Sequence, residues 1–263
     1  MQNNNSKILL SFDVEEFDLP LEYGEQISMN EQMEVGKKGL DAIADLLNKH
    51  NVQTTLFTTA NFADHFTDTI KQLSQQHEIA SHTYYHSSFK NEDLFLSKKR
   101  LEEITNTKVT GLRMPRLRKV DLNEVKNAGY EYDSSINPTW LPGRYNNFNL
   151  PRTVYKEDNL TRLPASVSPN FRIPLFWLSF KNLPYAFFKK LALQTLKKDG
   201  YICLYFHPWE FIHIEKYKIP AYTKRGSKNS LLQKLNVMIT DFKKEGEFIT
   251  IQSFLQQKSP AKI

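Results

Sequence analysis

The sequence has a single cysteine, Cys203, so no internal disulfide can form. Its place inside the apolar run "YICLYF" suits a buried thiol better than a nucleophile. No stretch approaches the roughly 18 uninterrupted apolar residues that a membrane-spanning helix needs. The opening "MQNNNSKILLSF" holds one lysine and too short an apolar run for a secretory signal, and a cytoplasmic location is the expectation from both absences. A Lys/Arg-rich block interleaved with aromatics is also missing. The net charge of +6 is spread along the chain, so nucleic acid is not expected as a partner. Neither an internal repeat nor a composition break marks a second domain. What is present, 263 residues that are 40% hydrophobic and 13% aromatic, can bury one sizeable core, so residues 1–263 read as one domain.

Strand-like and helix-like segments alternate along the chain. "KILLSFDV" is followed by a helical period through Val35, Leu40, Ile43, Leu46 and Leu47, then by "VQTTLFTT". Helical "DHFTDTIKQLSQQ" leads to "HEIAS", "DLFLSKKRLEEITN" to "VTGLR", and "LNEVKNAG" to "YEYDSS". Later, "LPYAFFKKLALQTLKKDG" leads to "YICLYFH" and "NSLLQKLNVMITDFKKEG" to "EFITI". This order predicts an α/β fold with a mostly parallel sheet, a (β/α) barrel or a relative of one. Gly129, Gly200 and Gly246 sit where helices should end. Residues 137–184, rich in proline and aromatics, read as a long irregular segment of functional or inserted character.

In such a fold the chemistry gathers at the strand ends. Five ends are rich in polar groups: Asp13 with Glu15, His82 with His86, Arg113, Asp133, and His207. The histidines of "SHTYYHSSF" are four apart, which on a helical turn would aim both at one divalent metal. A third ligand must come from elsewhere. Asp13 and Glu15 share one side of an extended strand while Val14 faces the other, so the opening "SFDVEEFD" can supply it. A solvated acidic loop is the plainer alternative for Glu15, Glu16 and Asp18.

"SFDVEEF", "HEIASHTYYH", "GLRMPR", "YDSSINPTW" and "LYFHPWE", in that order, resemble the five motifs of the NodB-homology polysaccharide deacetylases, carbohydrate esterase family 4. The branch with Asp-Val-Glu in its first motif and His-Pro-Trp-Glu in its last is the most similar. The resemblance implies a distorted (β/α) barrel, a single domain, that holds one divalent metal, usually zinc, and removes an acetyl group from an N-acetylated sugar. It also implies roles. Asp13 would be the general base, held by Arg113, and His82 and His86 would be metal ligands. His207 would be the general acid, paired with Asp133, which would raise its pKa. Trp140 would wall the acetyl pocket. In the family's commonest form an aspartate follows the base directly, whereas Val14 stands here and cannot ligate; Glu15 becomes the third ligand, with Glu16 as the fallback.

Tyr205 lies two residues before His207 and reads equally as pocket lining or core. His50, His65 and His77 read as structural, His213 as surface. The aromatics between Phe171 and Phe188 read as core, and their mixture with Arg172, Lys181, Lys189 and Lys190 permits membrane-surface contact as a weaker reading. "RMPRLRK" adds Arg116, Arg118 and Lys119 after Arg113, and Arg116 is the candidate for binding a diphosphate on a nucleotide or lipid carrier. A solvated basic loop is the competing reading. Three functions are compatible with this pattern: a metal-dependent sugar N-deacetylase acting on a cell-surface glycan or its cytoplasmic precursor, a metal-independent hydrolase of cyclic amides, and an inactive carbohydrate-binding relative.

Overall fold

The computed structural model describes residues 6–226 and 229–258. Its strands are β1 (Lys7–Val14), β2 (Thr55–Thr58), β3 (Glu78–Ser81), β4 (Gly111–Leu112), β5 (Tyr132–Asp133), β6 (Trp140–Leu141), β7 (Tyr145–Asn146), β8 (Tyr155–Glu157), β9 (Leu160–Arg162), β10 (Tyr201–Phe206) and β11 (Glu247–Phe248). Between them run α1 (Met29–His50), α2 (Ala60–His65), α3 (Thr67–Leu73), α4 (Glu92–Thr105), α5 (Leu122–Asn127), α6 (Trp177–Asn182), α7 (Tyr185–Asp199), α8 (Ala221–Lys224), α9 (Asn229–Phe242) and α10 (Ile251–Lys258).

The order β10-β1-β2-β3-β4-β5-β9 is parallel throughout, and β11 adds a short parallel pairing to β1. Only β8 runs antiparallel, on β9, and makes the sheet mixed. Curling leaves a gap between β9 and β10 that the irregular chain after β9 crosses. Leu163 and Ala165 donate backbone N–H to Asp133 and Ile136 on one side, and Ser166 donates to Cys203 on the other. The result is a relative of the barrel that the alternation of elements predicts, distorted as the family resemblance implies.

Side-chain alternation divides each strand between two environments. On β1, Ile8, Leu10 and Phe12 face outward into the large core beneath the helices, where Leu40, Ile43 and Leu47 of α1 meet them. Leu9 faces inward and packs with Phe57, Tyr132, Tyr201 and Cys203 at the bottom of the barrel. By the same parity Ser11, Asp13, Tyr205 and His207 point inward nearer the top. The inner face is therefore apolar at the strand starts and polar at the strand ends.

Helix ends follow their residues. Ser28 caps α1 by accepting from Glu31 N at 3.1 Å, and Asn51 closes it in the left-handed region. Gly200 ends α7 with φ 76°. Gly246 has no such conformation; a Cβ there would lie 2.6 Å from Ser6 O, so close approach is what requires glycine. The segment 137–184 is less irregular than its composition suggests, since it contains the hairpin β6–β7, the pair β8–β9 and helix α6.

Candidate metal centre and active site

Glu15 follows β1 directly, and its Oε2 lies 3.1 Å from His82 Nε2 and 3.0 Å from His86 Nε2. The three ligand atoms all fall within 4.8 Å of one another and are buried. Each histidine is gripped from behind: His82 Nδ1 is 2.7 Å from Arg113 O, and His86 Nδ1 is 2.8 Å from Asp18 Oδ1. A backbone carbonyl only accepts, so the His82 proton sits on Nδ1 and Nε2 is turned toward Glu15. Imidazoles fixed through Nδ1 with Nε2 converging on a carboxylate form the donor set that divalent metals use, and a cation there would relieve acceptors placed face to face.

The electrostatics agree. Burial opposes charge on Glu15, but the fields of His86 and His207 and the hydrogen bond from His86 hold its carboxyl well below the usual range. Burial would likewise lower the His86 pKa, yet Glu15 and Asp18 push it up to about 10. Glu16, the fallback ligand, is turned away and accepts from Thr59 Oγ1 at 2.7 Å and Asn61 Nδ2 at 2.6 Å beside α2.

The histidine pair does not lie on a helix. Residues 82–90 form a bent loop in which Thr83 takes φ 64°, a strained value for a β-branched residue. That bend, held by Ala60 N donating to Thr83 O and Asn61 N to Tyr84 O, brings the two rings to 5.6 Å in a stacked arrangement.

Asp13 stands beside this cluster. Its Oδ1 accepts from Arg113 Nη1 at 2.6 Å, and its Oδ2 faces His207 Nε2 at 3.9 Å. Arg113 is wholly buried, also donates to Ser11 Oγ and Ser134 Oγ, and has its guanidinium carbon 4.0 Å from the centre of the Phe57 ring. His207 is caged between Trp209, stacked at 4.9 Å, and Trp177, edge-on at 5.0 Å. Burial works against its protonation, whereas Glu15, Glu210 and Asp13 together raise its pKa. A carboxylate held by Arg113 and an imidazole whose protonated form is favoured by its neighbours thus flank the candidate metal position, groups of the kind that amide hydrolysis can use.

The polysaccharide deacetylase family model matches residues 3–132, which carry Asp13, Glu15, both histidines and Arg113. Residues 3–132 belong to the polysaccharide deacetylase family. No curated protein matches it. Among solved structures, a Mycobacterium smegmatis protein assigned to the polysaccharide deacetylases is 16% identical, covers 100% of this chain and 96% of its own, and superposes with a TM-score of 0.66. PuuE allantoinase is 14% identical, with 99% and 93% covered and a TM-score of 0.67. A peptidoglycan N-acetylglucosamine deacetylase is 16% identical, with 97% and 90% covered and a TM-score of 0.54. At these identities the structural likeness speaks for the fold.

Three expected placements need correction. Asp133 does not pair with His207. It lies across the barrel, in register with Arg162 of β9, whose Nε is 3.1 Å from its Oδ2, and it accepts from Ser135 Oγ. The partner of His207 is Glu210, whose Oε1 is 3.0 Å from Nδ1 and accepts from His207 N at 2.7 Å. Trp140 does not wall the pocket, because it projects from the β6–β7 hairpin 63% exposed. Leu141 and Tyr145 of that hairpin line the cavity instead, with Trp177 opposite. Arg116 does reach the cavity, but its guanidinium is held by Asp18, at 2.8 Å, and by Glu22, so it is not a free phosphate anchor. Arg118 and Lys119 are exposed.

Tyr205 lines the cavity, its ring 6.1 Å from that of His207. Roles for Asp18, Trp209 and Glu210 escape sequence reading, although Asp18 directly follows the first quoted motif and the other two stand inside the last. Trp209 Nε1 donates to Glu15 Oε1 at 3.1 Å and so orients the ligand carboxylate. Gly39 is a further participant: a Cβ there would lie 2.3 Å from Pro208 O, so glycine lets α1 press against the loop that carries His207.

Proposed function

We propose that the protein is a divalent-metal-dependent N-deacetylase acting on an N-acetylated sugar of a cell-surface glycan or its precursor. The observation that carries this reading is the convergence of Glu15 Oε2, His82 Nε2 and His86 Nε2 at one point, with Asp13 and His207 beside it. Glu15, His82 and His86 would hold the metal. When bound, a divalent cation polarises the amide carbonyl and makes water more acidic.

The chain's own groups then divide the proton traffic. Asp13, its carboxylate fixed by Arg113, accepts the proton of the attacking water. His207, with Nδ1 directed to Glu210, presents Nε2–H to the leaving nitrogen. Trp209, Trp177 and Tyr205 shield that step from bulk water. The cavity, about 330 Å³, is walled by residues from the segments around Glu22, Leu141, Trp177 and Thr223. Walls on several sides suit one sugar ring at a chain end, stacked on aromatics, better than an interior unit of a long polymer.

Acetate release tests the reading. Metal-stripped protein should be inactive on free, nucleotide-linked and lipid-linked N-acetyl sugars, and should recover on at least one when Zn²⁺ is restored. The likeness in fold to an allantoinase, together with Val14 after the base, supports the second reading, a metal-independent opening of cyclic amides. Allantoin consumption by stripped protein, with no acetate from any sugar, would establish that alternative.

A further inference from the structure

The acid His207 rests on a group that lies outside the five motifs. Lys181, on α6, has no exposed side-chain surface, and its Nζ is 3.2 Å from Glu210 Oε2, the carboxylate oxygen not used by His207. Glu210 is equally buried. The Lys181 ammonium lies 5.2 Å from the Trp177 ring and 5.7 Å from the Trp209 ring, the two rings that cage His207. It also donates to Thr223 O at 2.5 Å, and Thr223 belongs to the cavity wall. The carboxylate and both indole rings that hold the imidazole therefore converge on one cation.

Two fully buried charges are costly to desolvate, and removing one strands the other. A lysine with an ordinary surface role would have no such partners. We propose that Lys181 is a positioning residue for His207: through Glu210 and the two tryptophans it fixes the ring with Nε2 toward Asp13, and through Thr223 it ties the cavity wall to the same anchor. This rests on the reading of His207 as the acid of a deacetylase. Lys181 touches no reacting atom. Its effect should fall on turnover more than on binding, since misplacing a catalytic group by about 1 Å costs roughly a hundredfold. The groups facing His207 are Asp13 and Glu15 from the β1 end, Tyr205 of β10, Trp177 of α6, and Trp209 with Glu210 from its own loop.

A double-mutant cycle tests this, using Lys181→Met, Glu210→Gln and the pair together; the double variant removes both charges and leaves neither stranded, so it remains informative if Lys181→Met folds poorly. Lys181→Met should lower kcat about 10- to 100-fold with KM within about twofold. The double variant should be no slower than Glu210→Gln alone. Nitrogen-15 NMR of labelled histidine should show a hydrogen-bonded Nδ1–H on His207 that is lost in Lys181→Met, with the His82 signals unmoved. A kcat within twofold of the parent, multiplying effects in the double variant, or an unchanged His207 signal would each overturn the proposal. If the parent protein releases no acetate at all, the deacetylase reading fails, while the NMR comparison still decides the Lys181 linkage.

Discussion

Strand β3 has a histidine at each end and a carboxylate near each, buried at the upper end and half-buried at the lower, and the two ends behave in opposite ways. At the upper end, His82 and His86 face Glu15, whose pKa is depressed, while that of His86 is raised to about 10. At the lower end, burial alone drives the His77 pKa down to about 4, and neither of its ring nitrogens has a hydrogen-bond partner among the described residues. Glu78, beside it, accepts from Thr55 Oγ1, Tyr132 OH and Gln252 N, and burial raises its pKa despite those bonds. Burial of the histidines is common to both ends. What separates a reactive end from a structural one is whether oppositely charged or ligating groups converge there.

The largest effect that could break this comparison is at the paired carboxylates. Glu15→Gln should lose metal and reduce deacetylation on the order of a thousandfold, because several kcal/mol of Lewis-acid stabilisation go with the cation. Glu78→Gln should leave kcat within about twofold and appear only as a loss of about 1–3 kcal/mol in denaturant unfolding. Equal losses of activity from the two would erase the distinction. Next in size is Asp13→Asn, which should cost about 10²- to 10⁴-fold in kcat while metal analysis shows the cation retained.

The division between the ends was only partly legible in the sequence. Apolar runs and their order yield the barrel because parallel strands buried on both faces must be apolar throughout, as Ile8 to Leu10 and the β10 run are. Asp13, Glu15, His82, His86, Arg113 and His207 stand out because they end those runs. Which acid meets which base was not legible. Asp133 and Glu210 are both carboxylates in motifs, and only the register of β5 with β9, which sets Arg162 against Asp133, removes one of them from His207. Helical spacing suggested the convergence of His82 and His86, but the cause is a left-handed Thr83, which no local propensity announces. Lys181 was hidden among aromatics whose packing depends on tertiary structure.

The pH response sharpens the same contrast. Unfolding frees His77 to bind a proton near 6.5, whereas the folded protein resists until about 4. Its contribution is therefore present above pH 6.5 and lost as pH falls through 4, up to about 3 kcal/mol in all. His86 in metal-stripped protein has the opposite sign, contributing fully below 6.5 and fading as pH rises toward 10. Denaturant unfolding of stripped protein from pH 4 to 9 should show stability falling on both sides, and His77→Gln should flatten only the acid side. Flattening of the alkaline side by that variant would contradict the assignment.

The smallest effects concern packing. Adding a Cβ at Gly39 forces α1 off Pro208, and at Gly111 it meets the Tyr132 ring at 2.0 Å; either should cost about 1–3 kcal/mol. Gly39→Ala should also lower kcat, since the displaced loop carries His207. Gly111→Ala should not, and a similar drop in kcat for both would mean that general loosening, not the His207 loop, is responsible.

The most direct measurement is anomalous diffraction at the zinc edge from crystals of the protein soaked in Zn²⁺. One strong peak is expected about 2.0–2.2 Å from His82 Nε2, His86 Nε2 and a Glu15 carboxylate oxygen. A zinc-loaded crystal with its peak elsewhere, or with Glu15 swung away from the two histidines, would contradict it.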